Sequence, residues 1–166
     1  MRLAARTRQR HREEGAAAVE FALVVPILLL LVFGIIDYGL YFSDALAVRS
    51  GVREGARQGV VRTCTTMNCL ADLVKQRIQP TAAGAKYVQI RVVDPVTRLP
   101  AAWKRGNDLL VCAVVKVDGV TGYVPLPDGD TTRASISMRI EQEPDTTAEN
   151  SWDNDPLPPG GWGFCT

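Results

Sequence analysis

Residues 16–36 form a run of 21 residues in which Glu20 is the only charged side chain. As an α-helix rising about 1.5 Å per residue, such a run matches the ~30 Å hydrocarbon core of a bilayer. After Asp37 the sequence is of mixed polarity, so the chain reads as a membrane segment carrying a small soluble part. Ahead of the run lie Arg2, Arg6, Arg8, Arg10 and Arg12 with no acid among the first twelve residues. Basic residues before a span predict a cytoplasmic N-terminus, with the rest of the chain across the membrane. A conventional secretory signal fits poorly. Its small-residue cleavage site should follow the apolar core, whereas Ala16, Ala17 and Ala18 precede it. An uncleaved signal anchor and a cut on the cytoplasmic side, after Gly15, are the two readings that fit.

Glu20 and Pro26 interrupt the run. A carboxylate within a membrane helix costs a few kcal/mol at the centre and less near an end. Either the Glu20 side chain reaches the interface or is protonated, or it has a partner. A cut after Gly15 would create an α-amino group on Ala16 and make Glu20 the fifth residue of the product. Such an amine on a neighbouring subunit would neutralise the carboxylate in a low dielectric. Pro26 removes one backbone hydrogen bond, which predicts a kink or loosening, tolerated better in membrane helices than in soluble ones.

No helix-stopping signal follows Ile36. The periodicity predicts one helix over about residues 14–61, with Glu13 and Glu14 at its start suiting the helix dipole. Tyr38, Phe42, Ala45, Val48, Val52 and Ala56 follow one face, predicted to lie on the soluble domain. On another stripe Ser43, Ala47, Gly51, Gly55 and Gly59 recur every four residues. Small residues so spaced let another backbone approach closely, here a sheet of the same chain, with subunit contact as the alternative. Asn68 is positioned to cap a short helix over 69–79, with Leu70, Leu73, Val74 and Ile78 on one side and Pro80 after it. Residues 81–85 read as a loop. Strands are predicted over 86–94, 108–118 and 131–141. The second is an almost continuous apolar run and should be central. In the third, Ala134, Ile136, Met138 and Ile140 share a face. Short links favour antiparallel pairing. The expected fold class is therefore α+β: a long N-terminal helix (membrane half plus soluble half), a short helix, and a three-stranded antiparallel sheet packed on the long helix. Domain boundaries follow as a basic leader (1–15), the transmembrane half of the long helix (16–36), a helix-plus-sheet domain (37–141) and a Pro/Gly/acidic tail (142–166). The tail is expected to be mostly irregular, pinned near its end by Cys165 and the aromatics Trp152, Trp162 and Phe164.

Cys64, Cys69, Cys112 and Cys165 all follow the span. An even number in an oxidising compartment reads as two disulfides, with three possible connectivities. Cys64 with Cys69 would close a short loop, and Cys112 with Cys165 would then tie the tail to the body. Zinc is the competing use, but paired knuckles and a nearby histidine are missing. The formal net charge of +1 argues against a nucleic-acid partner driven by bulk electrostatics. The single histidine, His11, lies in the leader, so His-based acid–base or nucleophilic sites are excluded beyond it. Phosphate-loop and Gly-x-Ser-x-Gly patterns are missing. Asp128-Gly129-Asp130 and Asp153-Asn154-Asp155 do not extend to a full calcium loop and read as solvated turns. No enzyme, cofactor or metal is expected.

Gly15, four small or apolar residues, then Glu20-Phe21 and an apolar run resemble the processing site of type IV pilins and pseudopilins. The wider pattern is similar to the TadE-like family. It comprises Gly15-Ala16-Ala17-Ala18-Val19-Glu20-Phe21-Ala22-Leu23-Val24-Val25-Pro26, then Gly34-Ile35-Ile36-Asp37-Tyr38-Gly39, then Arg53-Glu54-Gly55-Ala56-Arg57. These are pilin-like proteins of tight-adherence (Tad/Flp-type) pilus machinery. The likeness is dense over residues 13–60; Gly106-Asn107-Asp108 and Ser137-Met138-Arg139-Ile140-Glu141 resemble later family segments more weakly. The resemblance implies a pilin architecture and cleavage between Gly15 and Ala16 by a prepilin-type peptidase. It implies that Glu20 registers subunits and that Pro26 marks a local melt used during filament packing. Other pilins or pseudopilins, an inner-membrane pilus assembly platform and the lipid bilayer are the implied partners. The implied location is the cytoplasmic (inner) membrane, single-pass, or a pilus into which the subunit is incorporated. Major filament subunits of such systems are typically much shorter, which implies a minor or initiating subunit here. The rivals are an uncleaved, single-pass extracytoplasmic binding or scaffolding domain, and an extracytoplasmic enzyme of unknown class.

Overall fold

The computed structural model describes residues 4–61, 64, 66–78, 84–119, 121–122, 125–142, 151–152 and 155–166. Two helices, α1 (Ala4–Val60) and α2 (Met67–Arg77), precede strands β1 (Lys86–Val93), β2 (Asp108–Lys116), β3 (Thr131–Arg139) and β4 (Ser151–Trp152). The sheet order is β3-β2-β1-β4, and every neighbouring pair is antiparallel. The three-strand meander on a long helix is the expected α+β, pilin-like arrangement. The two-residue β4 is an addition: the tail, expected to be irregular, returns to pair Trp152 with Ile90 and Ser151 with Arg91.

α1 begins earlier than residue 14. It continues through the leader, whose Ala, Arg, Gln and Glu residues are good helix formers and extend a helix already nucleated by the apolar run. Glu13 and Glu14 therefore lie inside the helix, not at its start, and the first turn contains no acid. The helix is also continuous through Pro26, where the Ala22 carbonyl loses its usual donor.

The packed face of α1 differs from the expected one in its first two turns. Asp37, Tyr41 and Asp44 are buried, while Tyr38 and Phe42 are exposed. From Val48 through Val52 to Ala56 the expected and observed faces coincide. The glycine stripe receives chiefly α2, not the sheet. A Cβ on Gly51 would lie 2.7 Å from Ile78 Cγ1, one on Gly55 would lie 2.4 Å from Val74 Cγ2, and one on Gly59 would lie 2.8 Å from Leu70 Cδ2. The sheet enters only at Gly59, where Leu109 Cδ2 would be 2.7 Å away.

α2 is capped by Thr66, not Asn68. Thr66 has extended backbone (φ −129°, ψ 153°), and its Oγ1 accepts from the Cys69 N–H at 3.3 Å. The helix ends at Arg77, two residues short of expectation. Residues 79–83, 143–150 and 153–154, which include Pro80, most of the expected loop after α2 and much of the tail, lie outside the described residues. β1, β2 and β3 each end one or two residues before the predicted limit.

One core joins α1, α2 and one face of the sheet: Val48, Val52 and Ala56 meet Leu70 and Val74, and these meet Val88, Ile90, Leu109 and Val111. The opposite face is covered by the tail, where Leu110, Cys112 and Cys165 cluster with Trp162 and Phe164. β2 is thus buried on both faces, which is why it reads as continuous hydrophobe. The disulfides are Cys64–Cys69 and Cys112–Cys165.

Gly55→Ala tests the close seat of α2. Helix propensity favours alanine by about 1 kcal/mol, but overpacking costs about 1–3 kcal/mol, so the urea midpoint should fall. Gly39→Ala, where an added Cβ meets nothing within 4 Å, should not lower it. Equal stability of the Gly55→Ala chain and its parent would mean that α2 does not sit this near.

Candidate functional site

Residues 15–24 of α1 are exposed on every side, and the exposure continues to Ile36 with only Val25 and Gly34 half-covered. Phe21 is 70 % exposed, Ile27 71 % and Leu30 70 %. Leucines and valines on all faces of a helix with no protein around them need an apolar medium or other helices. Among the described residues, this is the one helix long and apolar enough to cross a membrane.

Gly15, Ala16 and Glu20, singled out in the sequence, sit on that bare helix. A Cβ at Gly15 would meet nothing within 4 Å, so no packing demands a glycine there. Glycine there weakens the helix by about 1 kcal/mol relative to alanine and eases local unwinding. Ala16 and Glu20 are four residues apart, one turn along the same face. Glu20 is exposed and has no hydrogen bond or ion pair among the described residues. Pro26 is exposed too. Cys64, Cys69, Cys112 and Cys165 lie far along the chain in the soluble domain and form no common site with these residues.

Where the apolar run ends, the structure builds a clasp that the sequence did not announce. Asp37, only 2 % exposed, accepts from Thr121 through both carboxylate oxygens: the Thr121 hydroxyl donates to Oδ2, and the Thr121 N–H to Oδ1 at 3.4 Å. One residue on, the Tyr38 hydroxyl donates to the Pro125 carbonyl at 3.2 Å. A turn later the Tyr41 hydroxyl donates to the Thr131 carbonyl at 3.3 Å, and its ring packs with Val117 and Leu126. Burial is the main reason that the Tyr41 hydroxyl titrates above its ordinary range. The connection between β2 and β3 therefore grips α1 at its exit from the apolar half. The available signal was the spacing Asp37, Tyr41, Asp44, Val48, an i, i+4, i+7, i+11 series with two acids in it.

The Arg53-Glu54-Gly55-Ala56-Arg57 segment divides its labour. Gly55 and Ala56 face α2 and the core, and Glu54 and Arg57 stay at the surface. The Arg57 guanidinium donates to Glu54 from Nε at 2.9 Å and from Nη2 at 2.8 Å, and Gln58 Nε2 adds a third bond. Hydrogen bonds from Arg57, then Gln58, hold the Glu54 carboxyl down at about 2. With a depressed folded-state value, this contribution is present above the ordinary carboxylate range and is lost as pH falls toward 2. Asp155, one of the acids of the Asp153-Asn154-Asp155 run, accepts from Lys75 at 2.6 Å and from the Val88 N–H at 2.8 Å, fixing the tail to α2 and β1.

Residues 15–57 match the family described as TadE-like protein, roughly a quarter of the chain and the part that contains Gly15, Glu20 and the clasp residue Asp37. No curated protein and no solved structure matches the chain.

Asp37→Ala removes the acceptor for two Thr121 donors. A loss of about 1–3 kcal/mol in domain stability is expected, together with faster proteolysis within 117–130. Protection of that connection unchanged in the variant would show that the clasp does not depend on Asp37.

Proposed function

From a TadE-like segment at residues 15–57, we propose that this chain is a minor pilin-like subunit, a pseudopilin. It acts in assembly of a Tad-type pilus or related secretion apparatus, after a prepilin-type peptidase cuts between Gly15 and Ala16. The carrying observation is a bare apolar helix with an unpartnered acid at the fifth position past Gly15, continuous with an α+β domain. The five arginines before the span support a cytoplasmic leader. Two disulfides beyond the span support an extracytoplasmic domain. The partners in this reading are the peptidase, other pilins or pseudopilins, and the inner-membrane assembly platform. Cleavage would leave Ala16 with a free amine at the membrane edge. A neighbour's Glu20 would meet it in a low dielectric, and the axial offset between subunits would be set by that contact. Pro26, which frees the Ala22 carbonyl, is the place where the packed helix would loosen.

One observation favours a second reading. α1 is helical without interruption from Ala4 through Gly15, so a peptidase that takes an extended backbone must first unwind it. An uncleaved signal anchor with a scaffolding domain needs no such step.

The N-terminal residue and intact mass of protein purified from its native membrane decide between them. A chain beginning at Ala16 is expected; a chain still carrying its arginine-rich leader, in cells with active peptidase, would leave the anchor. Glu20→Ala should insert normally yet enter assemblies at least about tenfold less, since a lost interaction of 1.4 kcal/mol or more is a factor of ten. Normal incorporation of Glu20→Ala would remove this carboxylate from the mechanism.

A further inference from the structure

Among the described residues β3 is an edge strand, with β2 on one side and no strand on the other. The ladder fixes which of its backbone groups are in use. Val117 N–H donates to the Asp130 carbonyl and Ile140 N–H to the Asn107 carbonyl. Between them, by antiparallel alternation, Thr132, Ala134, Ile136 and Met138 turn their N–H and C=O toward β2. Arg133, Ser135 and Ser137 turn theirs outward, unpaired by the sheet. Beside this edge runs α1, and the two enclose an open groove of about 610 Å³ lined by Leu46, Arg49, Ser50, Arg53, Arg133 and Ser135. Arg49 and Arg53 are exposed, and no carboxylate pairs with any of the three arginines among the described residues. Arg133 lies 5.9 Å from the Phe164 ring, and its Nε is buried without a hydrogen bond among the described residues.

We propose that this groove takes an acidic, extended polypeptide segment of a partner chain, which adds to the open edge of β3. Main-chain pairing along the outward groups of Arg133, Ser135 and Ser137 would supply register. The Arg49 and Arg53 guanidiniums, on the α1 side of the edge, would select carboxylates by charge complementarity. An anionic lipid headgroup shares the chemistry but not the position. Arg49 is 13 residues past Ile36, about 20 Å along the helix, and still about 15 Å out at a 40° tilt. Headgroup layers extend only about 5–8 Å beyond the hydrocarbon. That exclusion rests on residues 16–36 being the span; the groove itself does not depend on cleavage or on a pilus.

The test uses the full chain in detergent micelles, with the synthetic peptide (Thr-Glu)4 as probe and (Thr-Gln)4 and (Thr-Lys)4 as controls. Binding of (Thr-Glu)4 alone is expected, with slowed amide hydrogen exchange at Arg133, Ser135 and Ser137 and affinity that falls with added salt. The R49E/R53E double variant changes two exposed side chains and should weaken binding at least about tenfold with both disulfides and the thermal midpoint retained. S135P removes one outward N–H, a change an edge strand tolerates, and should weaken the peptide without altering the charge. Equal binding of (Thr-Gln)4, unchanged exchange at the three β3 amides, no binding, or displacement of the peptide by phosphatidylglycerol vesicles would each overturn the proposal. Because cleavage plays no part in this assay, its failure leaves the pilin reading standing, and a retained leader leaves the groove standing.

Discussion

A helix end leaves its last four carbonyls without intrahelical donors, and such groups are hardest to satisfy where water is scarce. α1 avoids an end beside its apolar half by running on: the same backbone ladder continues through residues 37–60, for about seven more turns. The domain is thereby built on a single continuous rod. Everything that packs against residues 37–60 must fit the faces that this rod presents. The fit is made by subtraction, because three glycines at four-residue spacing remove side chains where α2 crosses. A longer side chain at Gly55 would displace Val74, and α2 carries one whole side of the core.

The soluble part is small, and its two sheet faces are covered by different means. One face rests on α1 and α2 through ordinary aliphatic packing. The other is closed by the tail, which carries few aliphatic side chains and depends on Cys112–Cys165, the Trp162–Phe164 pair and the Lys75–Asp155 ion pair. Loop-closure entropy favours this arrangement: the Cys112–Cys165 loop, at a separation of 53 residues, restricts the unfolded chain by about 4 kcal/mol, against about 2 for Cys64–Cys69 at a separation of 5. The longer disulfide thus stands in for apolar area that a Pro- and Gly-rich tail cannot supply.

Much of this was legible in the residues. Strand alternation placed Ala134, Ile136, Met138 and Ile140 on one face, which is the face that meets the core, and the unbroken apolar run of β2 marked it as central. The errors have physical causes. The periodicity put Phe42 on the packed face and left Asp37 out of it, but Thr121, 84 residues away, supplies the hydrogen bonds that let a carboxylate go inside. Thr66 outcompeted Asn68 as a cap because helix initiation is decided by which residue adopts extended backbone, a property that two candidates two residues apart do not reveal. β4 was missed because its partner β1 lies some sixty residues earlier, and two residues carry no period of their own. Gly15, Ala16, Glu20 and Pro26 were found as a motif, and the structure adds their setting: a bare helix with none of the described residues packed upon it there.

The acids of α1 make the functional argument most directly. Asp37 is inside the fold and receives donors from Thr121, and Asp44 is likewise buried with a partner of its own. These two are answered within the chain. Glu20 has no such answer among the described residues, although it lies inside the apolar run, where a bilayer would make an unneutralised charge costly. A helix whose buried carboxylates are answered within the chain while Glu20 stays bare, four residues past an alanine that cleavage would turn into an amine, has the form of half an interaction. Under the proposed function the other half belongs to a neighbouring subunit, and the bare apolar faces around Glu20 are the surface along which that neighbour would lie.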